Sequence, residues 1–263
     1  MTATVQCTLS DGVATITLNR PKTLNALGPE MMAAILAQIR ECVADDRTRA
    51  IVLAGAGRAF SGGGDIGWFG NVLAGGPAHA SAAIGAAMQE VGNPLVRAIA
   101  ECPLPVVSAV NGPCAGGAVG LALAADVVLA ARSAYFLIPQ VSVLGVVPDL
   151  GATWVLPRLL GRSRARGMAL LGERIDATQA EQWGLIWRCV DDADLAEQAQ
   201  ALAQRLGRLS TAAVRDTRRL LDAASSNDLA RQLDEERAAQ VVHAGTEAFN
   251  AACTRFLARA PRG

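Results

Sequence analysis

Two glycine-rich loops, each preceded by an apolar run, constrain the fold of this chain more than any other feature. The first run, Ile51 to Ala54, leads into Gly55 to Ile66, and the second, Val106 to Val110, leads into Asn111 to Gly117. Such runs predict buried strands that end in tight turns. Glycines leave amide N–H groups open to close approach, above all where a helix begins. The two loops can therefore direct two N–H groups at one oxygen atom, which is the geometry of an oxyanion hole.

Composition excludes several classes of partner. The 263 residues carry 24 basic and 24 acidic side chains, and only 4% are aromatic, which argues against nucleic acid or an anionic membrane surface as the main partner. We find no secretory signal and no uninterrupted apolar stretch of about 20 residues, so we expect a cytoplasmic protein without a membrane span. The cysteines are scattered and the two histidines lack ligand spacing, so we expect reduced thiols and no metal.

The N-terminal half predicts alternating strands and helices. Asp11-Gly12 lies between two strand-like runs and indicates a hairpin, and Pro29 opens a helix. We expect a loop over Gly70 to Gly85, either mobile above the site or plain surface, and a helix over Ala86 to Cys102 kinked at Pro94. The alternation favours βαβ units with stacked parallel strands.

The C-terminal half is mainly helical. We expect a helix from Leu150 that stops at Gly161, a last strand over Leu185 to Val190, and helices from there onward. The apolar faces of these last helices allow two readings, packing against another subunit or folding back onto their own domain.

Five motifs in order resemble the crotonase family, also called the enoyl-CoA hydratase/isomerase family, over nearly the whole chain. Each motif is weak alone, but the shared order makes chance a poor explanation. They are Leu18 to Pro21 with Asn25 to Leu27, Ala59 to Asp65, Ala109 to Gly112 with Gly116-Gly117, Val147 to Thr153, and Leu156 to Gly161.

The resemblance implies an α/β fold of repeated ββα spiral turns. Residues 1–200 would form the acyl-CoA-binding core, and residues 201–263 would form a helical oligomerisation region of a homotrimer or hexamer. It also implies that a coenzyme A thioester is the substrate, with no separate cofactor.

The family's site residues carry over by motif position. The amide N–H groups of Gly64 and Gly117 would form the oxyanion hole. The residues that would contact the coenzyme A substrate are Lys22, Leu24, Gly62, Asp65, Ile66, Gly116, Gly120 and Gln140. Asp65 is expected to cap a helix rather than to react.

One departure from the family decides the expected chemistry. Hydratases of the family position water with two glutamates, but here the first position is Gly120 and the second is Gln140 or Val141, depending on the register. Without that carboxylate pair, addition of water by this route is not expected.

Asp149 remains as the candidate acid–base residue, since some isomerases of the family carry an acid at this place. It would move a proton from C2 to C4 of a 3-enoyl thioester while the oxyanion hole holds the enolate. Burial among Leu144, Val146, Leu150 and Trp154 would raise its pKa. The alternative is that Asp149 caps a helix starting at Leu150. Trp68, Phe69 and Trp154 either line an acyl pocket or belong to the core.

The favoured hypothesis is therefore an enoyl-CoA isomerase. The alternatives are ring-epoxide isomerisation or thioester hydrolysis at Asp149, weak hydration by another water-holding group, and an acyl-CoA-binding protein without catalysis.

Overall fold

The computed structural model describes residues 3–259 and divides them into two compact units. The first unit extends to Gly207 and the second begins at Arg208. The expected boundary at residue 200 falls inside a helix of the first unit, Leu195–Gly207, so the division comes where that helix ends.

The strands of the first unit form two sheets. The six-stranded sheet has the order β1-β2-β3-β4-β6-β9 and the three-stranded sheet the order β5-β7-β8. Among the described strands, only the β1–β2 and β7–β8 pairs are antiparallel. The strands are β1 (Val5–Ser10), β2 (Val13–Leu18), β3 (Ala50–Gly55), β4 (Val106–Val110), β5 (Pro113–Ala115), β6 (Val127–Ala131), β7 (Tyr135–Leu137), β8 (Ile175–Asp176) and β9 (Arg188–Val190).

The expected hairpin is confirmed. Asp11 and Gly12 both have positive φ, 50° and 78°, which is the backbone that a two-residue turn between twisted strands requires. β2, β3, β4 and β6 are parallel neighbours, as the alternation of strand and helix predicts.

The helices of the first unit cover the sheets. Every residue of β4 is buried, because β4 lies between β3 and β6 in the sheet and the helices at Gly117–Leu123 and Leu195–Gly207 pack against it. The helices are α1 (Pro29–Ala44), α2 (Ile66–Ala74), α3 (Pro77–Ala87), α4 (Asn93–Ala100), α5 (Gly117–Leu123), α6 (Ala152–Leu171), α7 (Ala177–Trp183) and α8 (Leu195–Gly207).

The expected loop over Gly70 to Gly85 is wrong, because this segment is helical in α2 and α3. The Asp65 carboxylate accepts a hydrogen bond from the Trp68 amide and starts α2, and Pro77 occupies the first turn of α3. These end signals outweigh the low helix propensity of the glycines between them.

Two helix irregularities occur near proline and glycine. The expected kink at Pro94 takes the form of a π turn, Met88–Gly92, immediately before α4, and a proline there cannot donate to the preceding turn. α6 starts at Ala152 rather than Leu150 and is interrupted at Gly161, whose φ of 70° is not helical.

The second unit contains three helices in its described part: α9 (Thr211–Ala223), α10 (Leu229–Ala244) and α11 (Glu247–Arg259). Ser210 and Asp228 cap the first two through side-chain oxygens. No helix among residues 3–259 combines the length and the apolar character needed to cross a membrane.

Candidate active site

The two glycine loops meet because β3 and β4 are parallel neighbours and both loops leave the same edge of the sheet. A parallel bridge joins Ser61 to Cys114. A Cβ atom on Gly63 would lie 2.8 Å from the carbonyl oxygen of Ala115, so the loop backbones are in direct contact. Beside this contact lies a cavity of about 70 Å³ that both Gly64 and Gly117 line.

The backbone amides of these two glycines are free to bind a ligand. Gly117 is the first residue of α5, where N–H groups have no acceptor in the preceding turn. Gly64 forms a parallel bridge with Leu27, but the bonds of that bridge use the neighbouring peptide groups of Gly63 and Asp65. No residue of the described chain accepts a hydrogen bond from the N–H of Gly64 or Gly117.

Asp149 lines the same cavity, on the side of Gly117. A Cβ atom on Gly117 would lie 2.8 Å from Oδ1 of Asp149, so the carboxylate lies directly against the Gly117 backbone. Gln140 donates a hydrogen bond from Nε2 to the same Oδ1 at 3.3 Å. Burial raises the pKa of Asp149, while the bond from Gln140 acts in the opposite direction.

The alternative role of Asp149 as a helix cap is not observed. The residue before α6 is Gly151, in a left-handed conformation with φ of 85°, and no side chain caps this helix. Ala152 donates instead to the backbone carbonyl of Asp149, at 3.0 Å. The carboxylate of Asp149 is therefore not engaged by the helix it precedes.

The expected surroundings of Asp149 are only partly right. Leu150 is buried, but Leu144, Val146 and Trp154 are each more than half exposed. Trp154 turns outward on α6, where the Arg158 guanidinium lies 3.9 Å above its ring. The burial of Asp149 comes instead from Leu150, Gln140 and the Gly117 backbone.

Gly120 does not line the cavity, contrary to its expected place at the substrate. The carbonyl oxygen of Leu150 occupies the position where a side chain on Gly120 would begin. Gly120 is therefore a packing site for the backbone that leads into α6, and a side chain at this position would collide with that backbone.

Gln140 is 6% exposed and does not line the cavity either. It begins a π turn, Gln140–Leu144, and reaches Asp149 rather than open space. Its Oε1 is buried and has no hydrogen-bond partner among the described residues.

Aromatic side chains from α2 form part of the cavity wall. The rings of Trp68 and Phe69 lie 5.2 Å apart and both line the cavity, as one of the two sequence readings predicts, whereas Trp154 does not. The sequence reasoning missed most of the remaining wall. The kink expected at Pro94 was the one sequence feature that pointed to an irregular helix here. The π turn at this place supplies Met88 and Gly92 to the cavity wall. The missed residues are Leu27, Met32, Ile84, Ala87, Met88 and Gly92.

The residues expected to hold coenzyme A are only partly brought together. Leu24 has a positive φ of 53°, and its carbonyl accepts the Gly62 N–H at 2.7 Å. Lys22 is exposed on the adjoining turn, and Ile66 is 84% exposed. None of these four residues lines the cavity.

Asp65 and Gly116 have local structural partners. The carboxylate of Asp65 accepts from Arg20 at 2.7 Å and from the Trp68 amide at 3.2 Å. Although burial opposes ionisation, these bonds lower the pKa of Asp65. Gly116 donates its N–H to the Leu137 carbonyl at 2.8 Å, and its φ of 59° turns the chain into α5.

Comparison with known proteins identifies the family of this chain. The enoyl-CoA hydratase/isomerase family model matches residues 8–261. The chain is 43% identical to the 1,2-epoxyphenylacetyl-CoA isomerase of Escherichia coli K12 over 94% of this chain and 93% of that protein. It is 40% identical to a probable enoyl-CoA hydratase of Rhodobacter capsulatus over 98% and 96% of the two chains.

Solved structures agree on the fold. An enoyl-CoA hydratase from Polaromonas sp. JS666 superposes with a TM-score of 0.89 at 30% identity, covering 97% of each chain. The resemblance noted in the sequence and the expected crotonase-type fold are thereby confirmed. The chain belongs to the enoyl-CoA hydratase/isomerase, or crotonase, family of acyl-CoA enzymes.

Proposed function

We propose that this protein is an enoyl-CoA isomerase in which Asp149 moves one proton along the acyl chain. The observation that carries the proposal is the position of the Asp149 carboxylate, directly against Gly117 and in the same cavity as Gly64. A thioester oxygen bound by the two amides would place its C2 beside this carboxylate.

The reaction needs one base and one anion site. Asp149 takes the proton from C2 of a 3-enoyl thioester, and the electron pair spreads onto the carbonyl oxygen as a dienolate. The Gly64 and Gly117 N–H groups stabilise that negative oxygen, a contribution of about 3 kcal/mol per donor in other enzymes. Protonated Asp149 returns the proton to C4, which leaves the 2-enoyl thioester. The coenzyme A thioester is the substrate, and the proposal requires no cofactor.

Burial of Asp149 suits this role. A carboxylate that takes up and releases a proton works best with a pKa above the ordinary value of about 4. Burial moves the pKa of Asp149 in that direction.

Hydration is disfavoured by packing as well as by residue type. Two carboxylates are needed to position and split a water molecule, but Gly120 is covered by the Leu150 backbone and Gln140 is an amide. Asp149 is left as the one acidic residue that lines the described cavity.

Ring-epoxide isomerisation is the second candidate. It is favoured by the 43% identity to an enzyme named for an epoxyphenylacetyl-CoA substrate and by the Trp68–Phe69 pair in the cavity wall. Aromatic side chains pack well against a ring-bearing acyl group.

A panel of thioesters tests the proposal. We expect conversion of trans-3-hexenoyl-CoA to the conjugated 2-enoyl thioester and little hydration of crotonyl-CoA. Efficient hydration of crotonyl-CoA would contradict the proposal. Turnover of a ring-epoxide thioester without 3-enoyl isomerisation would favour the second candidate, and binding without turnover would favour an acyl-CoA-binding protein.

We further infer that the second unit packs against another copy of the chain, in a trimer or hexamer. Large apolar side chains of its helices are more than half exposed in the single chain: Leu221, Leu229, Leu233, Val241, Val242, Phe256 and Leu257. Light scattering of the intact protein measures the assembly. A monomer at micromolar concentration would contradict this inference.

A further inference from the structure

The side-chain amide of Gln140 makes one described hydrogen bond, and its partner is Asp149. Nε2 lies 3.3 Å from Oδ1 of the carboxylate, and the glutamine is almost completely buried. In the described chain no arginine, lysine or histidine pairs with Asp149, so Gln140 is the side chain that orients it.

The backbone of Gln140 is fixed on two sides. Its carbonyl accepts the Val146 N–H at 3.1 Å, in the segment that leads to Asp149. It follows β7, whose Leu137 carbonyl accepts the Gly116 N–H at 2.8 Å, immediately before the oxyanion-hole residue Gly117. The glutamine therefore projects from a turn tied both to the oxyanion hole and to the loop of the base.

The other end of the amide is unpaired. Oε1 is buried, and no described residue donates to it. A buried acceptor without a donor costs stability, and such groups in native proteins call for an explanation. A methionine or leucine would fill the same space without that cost, so packing alone does not account for the amide.

We propose that Gln140 is a positioning residue that holds the Asp149 carboxyl group in both of its protonation states. The inference rests on the proposed function, in which Asp149 gains a proton from C2 and then gives it to C4. While Asp149 is a carboxylate, Nε2–H donates to it. Once Asp149 is protonated, its O–H becomes a donor, and a half-turn of the amide about the Cγ–Cδ bond presents Oε1 as the acceptor.

Of the side chains of this size, an amide alone offers both a donor and an acceptor without carrying charge. A glutamate at position 140 would repel the ionised base, and a methionine would bind neither state. Burial raises the pKa of Asp149, and the bond from Gln140 opposes that rise by favouring the ionised form. Removing the amide therefore raises the pKa further.

The test compares the pH dependence of trans-3-hexenoyl-CoA isomerisation in the wild type, Gln140→Met and Gln140→Glu. We expect the acid limb of the kcat profile to move up by about one pH unit in Gln140→Met and further in Gln140→Glu, because like charge adds to the lost bond. kcat falls at neutral pH while KM changes little. The matched control is Gln200→Met on α8, which removes a glutamine bond to the Ser10 carbonyl of β1 and leaves the profile unchanged.

A second measurement does not depend on turnover. Infrared difference spectra against Asp149→Asn report the protonated Asp149 carboxyl directly, and its titration midpoint should rise in the order wild type, Gln140→Met, Gln140→Glu. Gln140→Glu is nearly isosteric, so it tests the proposal even if Gln140→Met fails to fold. An unchanged midpoint in the folded variants overturns the inference.

The proposed function and the proposed role of Gln140 can be contradicted separately. If Asp149→Asn keeps full isomerase activity, the proposed function is wrong. If Asp149→Asn is inactive while the Gln140 variants keep the wild-type pH profile and midpoint, only the role of Gln140 is wrong.

Discussion

The backbone carbonyl of Leu150 occupies the space in which a side chain on Gly120 would begin. Leu150 and Gly151 both have positive φ, 46° and 85°, and this turn lays the chain across α5 before α6 begins. A side chain at position 120 would therefore collide with the backbone of this turn.

Gly120→Glu and Gly120→Ala should both destabilise the fold. The added Cβ collides with backbone rather than with a flexible side chain, so we expect a loss of about 2 kcal/mol or more in the free energy of unfolding. Denaturant unfolding measures it, and crotonyl-CoA hydration should not appear in Gly120→Glu.

Gly167→Ala is the matched control, because Gly167 lies within α6 and a Cβ there meets no atom within 4 Å. It should stabilise the protein by about 0.5–1 kcal/mol. A stable Gly120→Glu variant that hydrates crotonyl-CoA would show that the Leu150 segment moves aside, contrary to the packing described above.

Gly117→Ala should lower kcat while the protein stays folded. The φ of Gly117 is outside the left-handed region, so the backbone accepts alanine, but the new methyl group would lie 2.8 Å from Asp149 Oδ1 and 2.8 Å from Leu150 Cδ1. Displacing the base by part of an ångström should cost roughly 100-fold in kcat. Steady-state kinetics with circular dichroism checks this, and unchanged kcat would mean that Asp149 does not work from its observed position.

Asp149→Asn should be more thermally stable than the wild type at neutral pH. Burial raises the pKa of Asp149, so the folded chain keeps this proton to a higher pH than the unfolded chain does. The stabilising contribution of the protonated Asp149 side chain is complete below the ordinary aspartate pKa of about 4. It is lost as the pH rises through the pKa of Asp149 in the folded chain. The advantage of the variant should therefore disappear in acid, as Tm measured against pH would show.

Asp45→Asn is a control for which the expected change in stability has the opposite sign. The bonds from Arg47 lower the pKa of Asp45 to about 2. The ionised carboxylate therefore contributes to stability at neutral pH, and this contribution is lost in acid. This variant should be slightly less stable than the wild type at neutral pH. A wild type that is more stable than Asp149→Asn at neutral pH would contradict the burial of Asp149.

Local signals predicted much of the fold. Asp11-Gly12 identified the hairpin, Pro29 the start of α1, and Gly161 the break in the helix that follows Asp149. The helices α2 and α3 were missed because their glycine and alanine content outweighed two valid start signals, Asp65 and Pro77. The helix-start residues Asp65 and Pro77 were better predictors of this segment than its glycine and alanine content.

The sequence predicted the part of the candidate site that lies in the loops directly after β3 and β4. Gly64 and Gly117 could be paired because parallel neighbouring strands bring their loops together. The contact of Gln140 with Asp149 depends on a π turn, and the contact of Leu150 with Gly120 joins segments thirty positions apart. No periodic pattern encodes either contact, since each depends on the path of a single loop.

The proposed reaction requires Asp149 to carry the transferred proton. The most direct measurement is the kcat of Asp149→Asn with trans-3-hexenoyl-CoA, together with the affinity of the variant for a saturated acyl-CoA by calorimetry and with Asp45→Asn as the control. We expect a loss of about 10²- to 10⁴-fold in kcat, the usual contribution of a general acid–base, at unchanged affinity. Isomerisation by Asp149→Asn at the wild-type rate would contradict it.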